Sequence, residues 1–231
     1  MSLRKRLALA ASIAVLLLAG RAVFAADELQ SVLHKLDTAA ANFHSTSADF
    51  QFDSVLTDPI PETDIQKGIV YYERKGPTFR MGVHIREVNG KPVPKVMIVS
   101  GGVFKLYEPM INQVTTSTKV SKYESYLELG FGASGRELAD KWRIKYLGSE
   151  AIDGVKTEKL ELVAKDPAVL KLFPKVTIWM DTERGVSLKQ VFDEGPGQSR
   201  ICHYSNFKGN QALPGDAFTF KTDRQTTYVN R

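Results

Sequence analysis

Hydrophobic and polar residues along most of this chain alternate with a period of two. Phe50 and Phe52 are interleaved with Asp49, Gln51 and Asp53, and Phe79, Met81, Val83 and Ile85 with Arg80, Gly82, His84 and Arg86. Such alternation is the mark of strands with one buried face. The central stretch KVMIVSGGVFKLYEPMINQVTTSTKV reads as three consecutive strands: Val96 to Val99, Val103 to Tyr107 and Gln113 to Val120, turned at Ser100-Gly101-Gly102 and at Glu108-Pro109. Asn89-Gly90 is a strong hairpin signal, because both central residues of a tight type I′ turn need positive φ. Further strands are predicted over 65–74, 143–147, 156–165, 176–180, 186–194 and 199–207, with Phe218-Thr219-Phe220 closing the set before a polar tail.

Three stretches depart from that rhythm. Leu29, Val32, Leu33, Leu36, Ala40 and Phe43 recur at helical spacing, so 27–44 is predicted to form an amphipathic helix with one apolar stripe. Residues 122–135 read as a short helix followed by a joint at Gly130, Gly132 and Gly135, with another helical turn over 136–142. Asp166-Pro167 starts one or two turns more, ending at Pro174. About ten or eleven antiparallel strands form a sheet long enough to curl. The expected fold is therefore mainly β, an incomplete barrel whose concave face is covered by the N-terminal helix and short lid helices.

The basic residues Arg4, Lys5 and Arg6, the apolar run Leu7 to Ala19 and the small-residue site at Val23-Phe24-Ala25 are read as a secretory signal. The apolar run is only about a dozen residues, short of the roughly 20 that span a bilayer. The expected organisation is a signal peptide over 1–25 and one domain over 26–231, in the periplasm. The net charge of +5 includes the cations of the signal, and no basic run is interleaved with aromatics, which argues against a nucleic-acid partner. The single cysteine, Cys202, permits no internal disulfide and reads as a small buried residue of a strand.

Catalytic groupings do not emerge from the sequence. His34, His44, His84 and His203 lack the spacing of metal ligands, and Ser134 lies in Ala-Ser-Gly, without the first glycine of a nucleophile elbow. No enzyme activity, metal or cofactor is expected. What stands out is an excess of large apolar side chains on sheet faces, which in a wide curled sheet leaves a cavity that helices or a ligand must fill.

The segments Asn42 to Phe50, Gly68-x-x-Tyr71, Gly76-Pro77-x-Phe79-Arg80-Met81, the meander Val99 to Thr118, Trp142, Val176 to Met180 and Asn206 to Phe220 resemble, in order and spacing, the periplasmic lipoprotein carriers of the LolA type. That resemblance implies an unclosed barrel that takes the acyl chains of a lipoprotein into its concave face, with no catalysis and no cofactor. It implies a cavity lined by Phe50, Phe52, Phe79, Met81, Val83, Phe104, Leu106, Leu160 and Leu162, and a lid carrying Tyr126, Leu127, Leu129 and Phe131. In the family an arginine before the proline of the second hairpin holds the lid closed; the matching position here is Lys75 or Arg74. The implied partners are an acylated lipoprotein or another lipid, an inner-membrane release complex and an outer-membrane acceptor, with the carrier itself a monomer. Relatives of this architecture that carry or sense a different amphiphile are the alternative.

Overall fold

The computed structural model describes residues 27–76, 78–118 and 127–231. The expected signal segment therefore lies outside the described residues, as do Val120 and Tyr126. Helix α1 covers 27–41 and turns Val32, Leu33, Leu36 and Ala39 inward, with Leu36 fully buried. A stripe at three- and four-residue spacing on a helix this short gains its stability from burial rather than from helix propensity alone.

Six strands follow: β1 (Ser45–Leu56), β2 (Glu62–Lys75), β3 (Thr78–Val88), β4 (Lys91–Ser100), β5 (Val103–Glu108) and β6 (Gln113–Ser117), with a 3-10 turn at Pro109–Ile111. Helix α2 (Gly135–Lys141) leads into β7 (Trp142–Ile152) and β8 (Val155–Ala164), helix α3 (Pro167–Leu172) into β9 (Lys175–Asp181), β10 (Val186–Gly195) and β11 (Gln198–Gly209), and β12 (Thr227–Asn230) comes last. The β3–β4 hairpin turns at Asn89 and Gly90, both at positive φ (50° and 75°), as the Asn-Gly pair predicts.

All twelve strands among the described residues belong to one sheet in the order β12-β6-β5-β4-β3-β2-β1-β11-β10-β9-β8-β7. The chain thus meanders outward from β1 to β6, and the second half returns so that β11 pairs with β1 from Thr46↔Gly209 to Leu56↔Gln198. The sheet does not close, because β7 and β12 end it at opposite edges. One face gathers the core. It unites Val32, Leu36 and Phe43 of the N-terminal segment, Leu138 of α2, Val169 of α3 and strand residues from Ala48 to Tyr204. The helices therefore cover the concave face, the arrangement expected from the sequence.

Two expectations need correction. Phe218-Thr219-Phe220 does not form a strand. It belongs to a strap, 210–226, that crosses the opposite face of the sheet. There Arg80 lies over the Phe218 ring at 4.3 Å and Tyr107 stacks on Phe220 at 5.0 Å. Conversely, part of the supposed polar tail is a strand. β12 pairs in parallel with β6, and Thr227 N–H donates to Asn112 O at 2.9 Å. Main-chain pairing with a free edge makes this strand, so side-chain alternation gave no sign of it.

The strap needs Gly82. A Cβ there would stand 1.9 Å from the Ala217 carbonyl oxygen, with main chain on both sides. Gly82→Ala is expected to cost about 1–3 kcal/mol, the usual cost of overpacking, as a lowered urea midpoint with faster amide exchange in 215–220. An unchanged midpoint would show that the strap is not held against β3.

Candidate functional site: an apolar cavity beneath a clamped segment

On the concave face, between β1, β2, β3, β10 and β11, lies a cavity of about 210 Å³. Phe50 and Phe52 form its floor, Met81 and Val83 one wall, and Phe173, just past α3, reaches it from the covering side, as does Leu127. The register explains the convergence. Phe50 pairs with Tyr204 on one side and Gly68 on the other, and Phe52 with Cys202 and Gln66, so side chains of one parity from neighbouring strands meet. A second cleft, of about 870 Å³, lies between α1 and the β8 to β10 end, and it is larger. Its walls include Lys35, Glu158, Asp181 and Arg184, whose charged groups suit water rather than hydrocarbon.

Of the residues assigned to the cavity from sequence, Phe50, Phe52, Met81 and Val83 line it. Phe79 packs against Tyr72, ring centroids 5.7 Å apart, and Phe104 against the core, but neither borders the void. Leu106 is half-buried opposite Met97, one strand beyond the wall. Leu160 and Leu162 are fully buried and belong to the core rather than the cavity. Their strand, β8, is next to an edge of the sheet, far in strand order from β2. Residues that sequence reasoning missed include Tyr72, Gln190, Arg200 and Tyr204. Arg200, Cys202 and Tyr204 alternate, and parity could have grouped them with Phe52 and Phe50 had the β1–β11 pairing been known.

Cys202 is 7% exposed, and burial pushes its thiol up to about 12, so it behaves as an apolar wall. Burial likewise raises Tyr204, and the neighbouring Cys202 and Tyr72 add to the effect. Gln190, 3% exposed, donates to the Leu129 carbonyl at 2.7 Å.

Segment 127–134 closes the cavity at the α2 end. Its root is tied to the β9–β10 hairpin: Ser187 N–H donates to Gly130 O at 2.7 Å, Gly132 N–H to Gly185 O at 3.0 Å, and Phe131 bridges Val186. Phe131 stacks on Tyr72 at 3.8 Å and meets Tyr204 edge-on at 4.9 Å. Leu129 and Phe131 are thus core residues, 2% and 1% exposed, whereas Leu127 lines the cavity.

Glu128, before that root, and Glu137, after it in α2, are held by charge. Arg74 of β2 donates through Nη2 to Glu128 Oε2 at 3.0 Å and through Nη1 to Glu137 Oε1 at 3.1 Å. Glu137 is itself fixed by a capping box at the start of α2, with Ser134 Oγ accepting from Glu137 N–H and Ser134 N–H donating to its carboxylate. Lys141 stands 3.9 Å from Glu128 as well. Lys75, by contrast, is 74% exposed and reaches only Glu73, at 3.7 Å. Strand parity decides between the two. Val70 and Tyr72 face the core, so Arg74 does too, while Glu73 pairs with Arg80 on the strap side.

Among the described residues no three His, Cys, Asp or Glu side chains form a group able to hold a metal, and no helix is long and apolar enough to cross a membrane. The fold is an unclosed sheet, antiparallel except for the β12–β6 pair, with helices on its concave face. No family model matches the chain. An uncharacterized protein of Methanocaldococcus jannaschii, MJ0687, is 25% identical over 125 residues, 54% of this chain and 35% of that protein. The chain thus spans about a third of the length of that curated relative. Among solved structures, an uncharacterized conserved protein from Thermus thermophilus superposes with a TM-score of 0.54 at 13% identity, over 87% of this chain and 98% of that one. MucB superposes with a TM-score of 0.52 at 10% identity, over 88% of this chain and 66% of its own. At these identities the likeness is one of fold.

Replacing Arg74 by Leu is expected to loosen segment 127–134 by about 1–3 kcal/mol, the worth of charge-assisted hydrogen bonds at a partly buried site. The readout is amide exchange in 127–134, with Arg74→Lys intermediate because ammonium lacks the fork. The same protection should depend on pH. Burial works against the charge of Glu137, but the Ser134 backbone N–H and then Arg74 outweigh it and hold the carboxyl below its ordinary range. A depressed carboxyl stabilises above its unfolded value, so protection is complete at neutral pH and falls as pH drops below about 4. Protection that stayed level into acid would exclude Glu137 from the clamp.

Proposed function

We propose that the protein is a periplasmic carrier that takes the acyl chains of a lipoprotein into the cavity beneath segment 127–134 and releases them to an acceptor, without catalysis. The observation that carries this reading is an apolar cavity whose cover is clamped by one arginine from the sheet. Hydrocarbon burial supplies the driving force. At about 0.8 kcal/mol per methylene, a chain of about twelve carbons gains about 10 kcal/mol, several times the cost of opening the Arg74 clamp. Loading therefore favours the open form, and the empty protein closes on its own apolar side chains.

The cavity as it stands, about 210 Å³, falls below the roughly 300–1,000 Å³ of ordinary ligand sites. Three acyl chains need Leu127 and its neighbours to withdraw. The sequence resemblance to lipoprotein carriers favours an acylated polypeptide as cargo, with an inner-membrane release complex as donor, an outer-membrane acceptor, and a monomeric carrier between them. The small volume favours a second reading, a carrier or sensor for a different amphiphile with fewer chains.

Native mass spectrometry of protein purified gently from a periplasm, followed by organic extraction, separates the readings. Acylated polypeptide in the extract supports the lipoprotein carrier, and a free lipid supports the second reading. Leu127→Glu is expected to weaken binding of an acylated peptide at least tenfold with an unchanged urea midpoint, because a carboxylate at the cavity wall disfavours hydrocarbon. A protein that is isolated empty and stays empty when offered acylated peptide would contradict both.

A further inference from the structure

Arg200 is the one charged side chain among the described residues that line the cavity. It stands at one end of the alternating ladder Arg200, Cys202, Tyr204 on β11. Its side chain is 43% exposed, whereas Cys202 and Tyr204 are 7% and 8% exposed. Successive members of such a ladder are about 6.6 Å apart, so an apolar strip of about 13 Å runs inward from the guanidinium. Arg200 lies at the end of the cavity away from the Arg74 clamp: along β1 it pairs with Ser54, while Thr46 pairs with Tyr72 at the clamped end.

The guanidinium is held in place on two sides. Nε is 2.6 Å from Glu194 Oε1, across the β10–β11 hairpin, and the Phe173 ring centre lies 5.9 Å from Cζ. An arginine carries five N–H donors in a planar fork, of which this contact engages Nε, and the fork matches the two oxygens of a phosphate or carboxylate. A cation fixed where hydrocarbon surface ends and water begins is what an anionic amphiphile needs, its chain inside and its charge at the rim.

We propose that Arg200 is an anion subsite at the mouth of the cavity, which selects an amphiphile bearing a phosphate or carboxylate next to its acyl chain, with Glu194 as the internal anion that such a headgroup displaces. This rests on the second reading above, a carrier for an amphiphile other than a lipoprotein, since the ester- and amide-linked chains of a lipoprotein have no adjacent anion, and it adds the class of headgroup to that reading.

The test is isothermal titration at low ionic strength with dodecyl phosphate and dodecyl maltoside, both below their micelle concentrations, and with inorganic phosphate. The quantity of interest is the ratio of the two dodecyl affinities. Wild type is expected to prefer the phosphate. Arg200→Gln should lower that preference about tenfold, and Glu194→Gln should raise it several-fold, since the cation loses its internal partner; the preference should also fall with added salt. Ratios that match wild type in both variants, with dodecyl maltoside still bound, would overturn the anion subsite and leave the cavity intact. Binding of neither dodecyl compound would overturn the acyl-chain reading and this one with it. Inorganic phosphate bound as tightly as dodecyl phosphate would show a site for the free anion instead and overturn the proposal.

Discussion

A sheet of twelve strands that curls without closing leaves a concave face wider than its own side chains can fill, and everything else in this protein answers to that constraint. Helices α1, α2 and α3 lie on the face and bury Leu36, Leu138 and Val169 against it. Segment 127–134 completes the cover, and two kinds of contact hold it. At the root, main-chain bonds to the β9–β10 hairpin and the Phe131–Tyr72 stack make a fixed joint. On either side of that joint Arg74 holds Glu128 and Glu137 through oriented charge. Packing of the first kind is lost only when the core is disrupted. A pair of charge-assisted hydrogen bonds can be exchanged for water at a cost of a few kcal/mol.

That contrast gives a physical account of how one cavity could both load and release. The closed form is stabilised by modest terms, and hydrocarbon in the cavity is stabilised by terms that grow with each methylene. In the proposed carrier, cargo therefore outcompetes the clamp by a wide margin. On that proposal the clamp alone does not expel cargo, and release calls for an acceptor whose own apolar surface makes up the difference. The clamp's contribution is to keep the empty cavity covered, which limits the hydrocarbon surface the unloaded protein shows to water and to other chains.

Much of this was legible in the sequence, and the limits have identifiable causes. Period-two alternation and turn chemistry located the sheet, the helical stripe of α1 announced what would cover it, and Asn89-Gly90 placed a hairpin correctly. Alternation is a local signal, however, and says nothing about which strands become neighbours. The pairing of β1 with β11 brings Arg200, Cys202 and Tyr204 beside Phe52 and Phe50, across about 150 residues of chain. Without it Leu160 and Leu162 looked as suitable for the cavity as Met81 did. Lys75 and Arg74 could have been separated by parity from Val70 and Tyr72, since a one-residue step reverses the face. β12 was invisible for another reason: an edge strand made by backbone pairing needs no apolar side chains.

Cys202 offers the most direct measurement. It is the only cysteine of the chain, it lies in the cavity wall, and it is 7% exposed. The rate at which a small alkylating reagent modifies it in the native protein reports whether the cavity is open and whether it is occupied. If chains enter beneath a cover clamped by Arg74, Arg74→Leu will react several-fold faster than wild type, and saturating acylated peptide will suppress the reaction in both. Equal rates in the two proteins, or a rate indifferent to acylated peptide, would contradict the claim that this cavity is where cargo is held.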